Sequence, residues 1–146
     1  MALVLEESTL AGAPPETVWR LVADPTTWRL WWPGCLEAET KDRRPLHDGS
    51  ELRLVVKPSW IAIRFALRVE VATPPRALIL SGQGAGMAIR HSFFFESRPG
   101  GTLVRERQEL SGWGLTPFRL LRQDVATGAR LRENLKGLKR LAERSL

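Results

Sequence analysis

Residues 59–72, SWIAIRFALRVEVA, alternate with a period of two: Ile61, Ile63, Phe65, Leu67, Val69 and Val71 fall on one side, and Ala62, Arg64, Ala66, Arg68, Glu70 and Ala72 on the other. Successive side chains of a strand point to opposite faces, so this segment predicts a strand with one buried face and one wet face. ELRLVVK at 51–57 repeats the pattern, with Leu52, Leu54 and Val56 opposed to Glu51, Arg53 and Lys57, and CLEAETK at 35–41 carries it more weakly. The turn-forming clusters HDGS, TPP, GAG and RPGG separate these runs at regular intervals, as in an antiparallel meander. Counting ALVLEESTLAG at the start, seven strands are predicted, one before a helical stretch and six after it.

The period changes in APPETVWRLVADPTTWRLWWPG, residues 13–34. Pro14 and Pro15 preset a helical start, Glu16 suits the positive N-terminal end, and Val18, Leu21 and Val22 give an apolar face. That helix must stop near Asp24, because the residue before Pro25 is pushed out of helical geometry. Asp24 can then cap a second short helix carrying Trp28, Trp31 and Trp32 up to Pro33 and Gly34. From Pro117 a helical pattern runs to about residue 143, with Phe118, Leu121, Val125, Leu131, Leu135, Leu138 and Ala142 as its apolar stripe. Gly128 sits inside it, where glycine costs about 1 kcal/mol relative to alanine, so either the helix bends there or a neighbour packs closely. With no repeat, linker or low-complexity stretch, the expectation is one α+β domain over 1–146: a seven-stranded antiparallel sheet with a long C-terminal helix across it.

At 146 residues such a domain buries roughly 70% of its unfolded surface and needs no metal or disulfide to hold it. No apolar run reaches the roughly 18 residues of a membrane span, and MALVLEEST lacks the features of a secretory signal, which leads us to expect a cytoplasmic protein. Cys35, the one cysteine, has no partner for a disulfide and is expected to be an inert thiol. The net charge of +6 raises the question of nucleic acid. Residues 117–146 hold eight Arg and Lys against three Asp and Glu, whereas residues 1–116 hold fourteen against thirteen. The excess therefore lies on the outer side of the last helix, with no nucleic-acid motif beside it, and no specific nucleic-acid partner is expected.

Three segments, APPETVWRLVADPTTWRLWWP, HSFFFESRPGGTLVRERQELSGW and LRENLKGLKRLAE, together with the order of elements, make the chain similar to the START-like (SRPBCC) superfamily of the helix-grip fold, and specifically to its polyketide cyclase/dehydrase and lipid transport branch. The resemblance implies a curved sheet wrapped around the last helix and a cavity between them for a small hydrophobic molecule, a lipid, polyketide-like or aromatic compound. Members of the branch include carriers, sensors and cyclases, so the resemblance implies a fold and a kind of ligand more than a reaction. In such a fold the helix pair supports one end of the cavity. Trp19, Trp28 and Trp31 then read as core staples, and Trp32, at the helix end, as a residue of the pocket rim.

Parity supplies the candidate chemistry. If the apolar partners point inward, His91 lies inside with Met87, Ile89, Phe93 and Phe95, and Glu106 and Gln108 lie inside with Val104 and Leu110. The short RPGGT connection lets a hairpin bring His91 near Glu106 or Gln108. A buried histidine beside a carboxylate suits three roles: a satisfied polar wall, ligand orientation, or general acid/base work. The residues expected around a ligand are Trp32, Trp60, Phe65, Met87, His91, Phe93, Glu106, Gln108, Trp113, Phe118, Leu121, Val125 and Gly128, bordering a cavity on the order of 300 to 1,000 Å³. GQGAG leads into a strand rather than a helix and so lacks a phosphate cradle, and no His or Cys spacing suggests a metal, so no cofactor is implied. Binding of a small hydrophobic molecule is the leading expectation. A cyclase or dehydratase using His91 and Glu106 is the alternative, followed by a protein-interaction module; homodimerisation stays open.

The charge analysis generates one expectation for solution. Affinity for duplex DNA should be independent of sequence and should fade as salt rises from about 50 to 200 mM, as for any generic cationic surface of about this charge. Sequence-selective retention in a mobility-shift assay at physiological salt would overturn it.

Overall fold

The computed structural model describes residues 2–145. Strands β1 (Leu3–Ala11), β2 (Cys35–Thr40), β3 (Glu51–Val56), β4 (Ile63–Thr73), β5 (Ala77–Gly84), β6 (Met87–Arg98) and β7 (Gly101–Ser111) form one antiparallel sheet in the order β1-β7-β6-β5-β4-β3-β2. The two earliest strands are thus its two edges. Between them, helices α1 (Pro15–Val22) and α2 (Trp28–Trp31) carry the chain across. The sheet curls, helped by register shifts between Cys35 and Glu37 and between Val69 and Val71, where an extra residue bends the strand.

Alternation read from the sequence holds: along β4, Ile63, Phe65, Leu67 and Val69 are buried and Arg64, Ala66, Arg68 and Glu70 exposed. That strand starts at Ile63 instead of residue 59. Pro58 has no N–H for a ladder, its carbonyl is taken by Arg130 Nε at 3.0 Å, and Ser59 is bonded to Gln123, so residues 57–62 form a loop. The helix pair also forms as its caps dictate. Asp24 accepts from the Thr26 N–H at 3.1 Å, opening a tight 3₁₀ turn at Pro25–Thr27 that leads into α2.

The expected single helix over 117–143 is corrected to two, α3 (Leu115–Leu120) and α4 (Gln123–Arg144), parted at Arg122, whose φ of 59° is left-handed. A non-glycine residue there costs on the order of 1 to 2 kcal/mol. Something must offset that cost, and Gln123 does so in part: its amide Nε2 donates to the Leu121 carbonyl at 3.0 Å and to Ser59 Oγ at 2.9 Å, replacing a lost helical bond and tying in the 57–62 loop. The turn leaves Leu121 and Val125 exposed, off the predicted stripe. Leu131, Leu135, Leu138 and Ala142 keep theirs and bury it on the inner side of the sheet, where α4 touches β1 and β7. At its far end α4 is fastened by Glu143, which accepts from the Gly12 N–H at 2.7 Å. That bond, and then Lys139, holds the Glu143 carboxyl below its usual range.

Helix α4 has a second inward line. Gln123, Thr127, Arg130, Asn134 and Gly137 follow one another at spacings of four and three, so they share one face. Gly137 marks where α4 meets α2: a Cβ at this position would stand 2.4 Å from the Trp31 carbonyl oxygen. Gly128, expected among the residues around a ligand, does something else. A Cβ there would make ordinary 3.8 Å contact with Leu5 of β1, so the position is neither crowded nor part of a cavity. Among the described residues no helix is long and apolar enough to cross a membrane.

The two helical glycines should therefore respond in opposite directions to alanine. Gly137→Ala forces α4 away from α2 and should destabilise the fold by about 1 to 3 kcal/mol, as overpacking does. Gly128→Ala meets no obstacle and should stabilise by about 0.5 to 1 kcal/mol. Thermal melts of the two variants should move to opposite sides of the parent, by about 2 to 4 °C per kcal/mol.

Candidate functional site

The tryptophan corner sets one wall of the site. Trp28 and Trp31 are fully buried, and their indole N–H groups are spent locally, on the Val22 carbonyl at 2.9 Å and on Thr27 Oγ1 at 3.2 Å. Trp19 packs edge-on against Phe95 at 5.9 Å. These three are core staples, as expected. Trp32 follows α2 in extended conformation, and its ring turns to the sheet, edge-on to His91 at 5.4 Å between centroids. With the Asn134 amide oriented to satisfy both its ends, its oxygen accepts from Trp32 Nε1 at 3.1 Å and its nitrogen donates to the Arg130 carbonyl at 3.0 Å.

Strand pairing decides the question the sequence left open. His91 stands directly opposite Gln108, and Phe93 opposite Glu106. Glu106 is thus the diagonal neighbour of His91 on the inner face, and its Oε2 lies 2.6 Å from His91 Nε2. Both side chains are buried, and His91 stacks on Phe93 at 4.6 Å. Glu106 Oε1 has no hydrogen-bond partner among the described residues. An imidazole held by a carboxylate at one nitrogen is fixed in orientation, with the other nitrogen, Nδ1, left for other partners.

In front of His91 lies a cavity. Leu54, Ile63, Phe65, Ile89 and Leu110 of the sheet form one side; Phe118, Thr127, Leu131 and Asn134 face them; Trp32, His91 and Gln108 complete the interior, with Lys57, Pro58 and Arg130 at the mouth. Its volume is about 40 Å³, well below the roughly 300 to 1,000 Å³ expected from the sequence. A water needs on the order of 10 to 15 Å³ by this measure, so the space suits a few waters and no ring-bearing molecule. The 57–62 loop borders it through Lys57 and Pro58 and is tied to α4 by the Arg130 to Pro58 bond and by the two-way bond between Ser59 and Gln123.

Of the thirteen residues expected around a ligand, the structure brings Trp32, Phe65, His91, Gln108 and Phe118 to the cavity wall, with Glu106 immediately behind His91. Met87 and Phe93 are buried but do not line it. Trp60 and Trp113 lie exposed on outer loops, Leu121 and Val125 are exposed beyond the helix break, and Gly128 faces Leu5. Sequence reasoning missed Thr127, Arg130 and Asn134. Their signal was present as the four-three spacing of a polar line along a helix searched only for its apolar stripe. Among the described residues no three His, Cys, Asp or Glu side chains gather as a metal site. Cys35 lies outside the cavity lining, and burial pushes its thiol up to about 11.

Two measurements follow. His91→Ala and Glu106→Ala should each cost about 1 to 3 kcal/mol of folding free energy, since each strands a buried polar partner. The double variant should cost less than their sum, the coupling being read from a double-mutant cycle in urea; additive losses would mean that the 2.6 Å contact contributes nothing. Cys35, held as the neutral thiol, should react with a disulfide reagent at about pH 8 many-fold more slowly in the folded protein than in urea.

Comparisons with known proteins bear on what the arrangement is for. The chain matches the family described as polyketide cyclase/dehydrase and lipid transport over residues 1–143. Among solved structures it is similar to the Zhui aromatase/cyclase from Streptomyces sp. R1128, with a TM-score of 0.82 at 13% identity over 99% of this chain and 95% of that one. A protein from Thermus thermophilus gives 0.81 at 17% identity, covering 98% and 99% of the two chains. The di-domain aromatase/cyclase StfQ of the steffimycin biosynthetic pathway gives 0.76 at 13% identity, over 99% of this chain and 52% of that one. At these identities the structures establish the fold alone. A comparison with curated proteins finds no match. The family match spans nearly the whole chain, and with the seven-stranded sheet closed around α4 it leads to one conclusion: this protein belongs to the polyketide cyclase/dehydrase and lipid transport family, on a helix-grip fold.

Proposed function

We propose that the protein binds a small apolar molecule between the sheet and α4, with His91 and Gln108 as the polar points that orient it. The observation that carries this reading is the placement of a buried imidazole, braced from behind by Glu106, in a wall otherwise made of Leu54, Ile63, Phe65, Ile89 and Leu110. Pockets for small molecules are typically of this composition, apolar with a few converging polar groups. The family includes lipid transport and polyketide chemistry in its description, and both concern largely apolar molecules.

At about 40 Å³ the cavity is in its closed form. A ring or acyl chain is admitted only when the 57–62 loop lifts from α4, which breaks the Ser59–Gln123 and Pro58–Arg130 contacts. Apparent affinity is then reduced by the fraction of molecules that are open. A cyclase or dehydratase is the second reading, favoured by the 2.6 Å pairing of His91 with Glu106 and by the aromatase/cyclases among the similar structures. There His91 Nδ1 takes a proton from carbon beside a carbonyl, Glu106 stabilises the imidazolium, and the same proton returns to a departing hydroxyl that leaves as water.

Titration with 1-anilinonaphthalene-8-sulfonate, followed by tryptophan quenching, tests the binding reading. Saturable one-site binding is expected. Ser59→Ala, which loosens the loop, should tighten it several-fold, and Ile89→Trp, which fills the cavity, should abolish it while the protein stays folded by circular dichroism. Equal binding by the parent and Ile89→Trp would place the dye elsewhere and remove the support for this pocket. Turnover of a β-hydroxyketone, lost in His91→Ala but not in Ser59→Ala, would move the assignment to the second reading.

A further inference from the structure

Five large apolar side chains that the core does not use gather at one end of the molecule. Trp60 is 65% exposed in the 57–62 loop and Trp113 is 79% exposed between β7 and α3. Leu120, Leu121 and Val125 are exposed at the junction of α3 with α4. Antiparallel pairing brings these segments together, because the end of β3, the start of β4, the β5–β6 turn and the end of β7 all fall at the same end of the sheet's strands. Two bonds tie these segments in pairs. Ser59, next to Trp60, is bonded to Gln123, between Leu121 and Val125, and the Gly114 N–H, next to Trp113, donates to the Gly86 carbonyl at 3.0 Å. Trp113 lies so close over the β5–β6 turn that a Cβ on Gly86 would fall 2.4 Å from its ring. One indole face is thus seated on a glycine while most of the ring projects outward.

We infer that this end is a docking surface for an anionic lipid bilayer. Isolated exposed apolar residues carry no message, but a contiguous patch on a soluble domain marks an interaction site. Its chemistry selects the occupant. Segments 57–64, 84–88 and 111–125 hold four cations, Lys57, Arg64, Arg119 and Arg122, and one acid, Asp124, so cations border the apolar tips. Tryptophan is suited to the headgroup level of a membrane, and leucines and valine to the acyl boundary below it, while each basic residue near an anionic leaflet adds attraction. Shape argues the same way. The patch consists of loop tips and a helix junction, whereas a stable protein partner needs about 800 Å² of complementary surface from some 20 to 30 residues on each side. A bilayer yields to protruding tips and needs no matching groove. The patch also adjoins the cavity, for Lys57 and Pro58 stand at its mouth and Phe118 of α3 lines its wall. The inference does not depend on what the cavity holds, and its test uses no ligand.

The experiment is co-sedimentation of the full chain with vesicles of phosphatidylcholine containing about 30% phosphatidylglycerol, and with phosphatidylcholine alone. Expected are binding to the anionic vesicles that weakens as salt rises, little binding to the neutral ones, and quenching of tryptophan emission by lipids brominated near the top of the acyl chain. Trp60→Ala/Trp113→Ala should lower the partition coefficient at least about tenfold, given the apolar area removed, and Arg122→Glu should lower it about fivefold or more. Both variants change exposed residues, and unaltered melting temperatures verify that they are folded. Vesicle binding that is absent in the parent, or equal in the double tryptophan variant, overturns the inference. So does a concentration-dependent dimer that disappears in that variant, since the patch would then be covered by a second copy.

Discussion

The backbone contact between Gly137 and the Trp31 carbonyl is the constraint on which the inner structure depends. It lets α4 approach α2 more closely than any side chain allows, and it thereby fixes how the helix is rotated over the sheet. With that rotation set, Leu131, Leu135 and Leu138 face the apolar strands, and Asn134, Arg130, Thr127 and Gln123 come round to Trp32, the mouth and the 57–62 loop. The tryptophan-rich corner is therefore less a cluster of ligand contacts than a rigid abutment. Trp19, Trp28 and Trp31 are committed to the core and Trp32 is aligned by Asn134.

What the site can do follows from the balance of its walls. A histidine and a glutamate in an otherwise apolar interior are costly unless they satisfy one another. Their short contact meets most of that demand but not all of it, since Glu106 Oε1 remains without a partner among the described residues. A fully satisfied structural pair would leave no such remainder. The polar groups facing the cavity are equally unlike a packed core. Gln108 stands opposite His91 on the next strand, so two polar side chains of adjacent strands confront the same small space.

Much of the architecture was legible because it rests on local rules. A two-residue period marks a half-buried strand wherever it occurs, Pro14–Pro15 and Asp24–Pro25 are physical punctuation, and inward parity placed His91, Glu106 and Gln108 on the correct face. The remainder depends on contacts between distant segments. Nothing in LLRQD announces a left-handed Arg122, because the device that permits it is a glutamine reaching a serine 64 positions away. The pairing of His91 with Glu106 over Gln108 is a matter of register, which parity alone does not contain. The exposed Trp60 and Trp113 show the converse error: a bulky apolar residue near a strand end reads as a ligand contact unless one knows which way its loop turns.

Gln123 has one further consequence. A single amide both terminates α3, through the Leu121 carbonyl, and holds the loop that covers the cavity, through Ser59. In the proposed opening, lifting the loop takes away the Ser59 bond and leaves the amide tied to the Leu121 carbonyl alone. Access to the interior and the bend between the last two helices then draw on the same side chain, and a load on one is shared by the other.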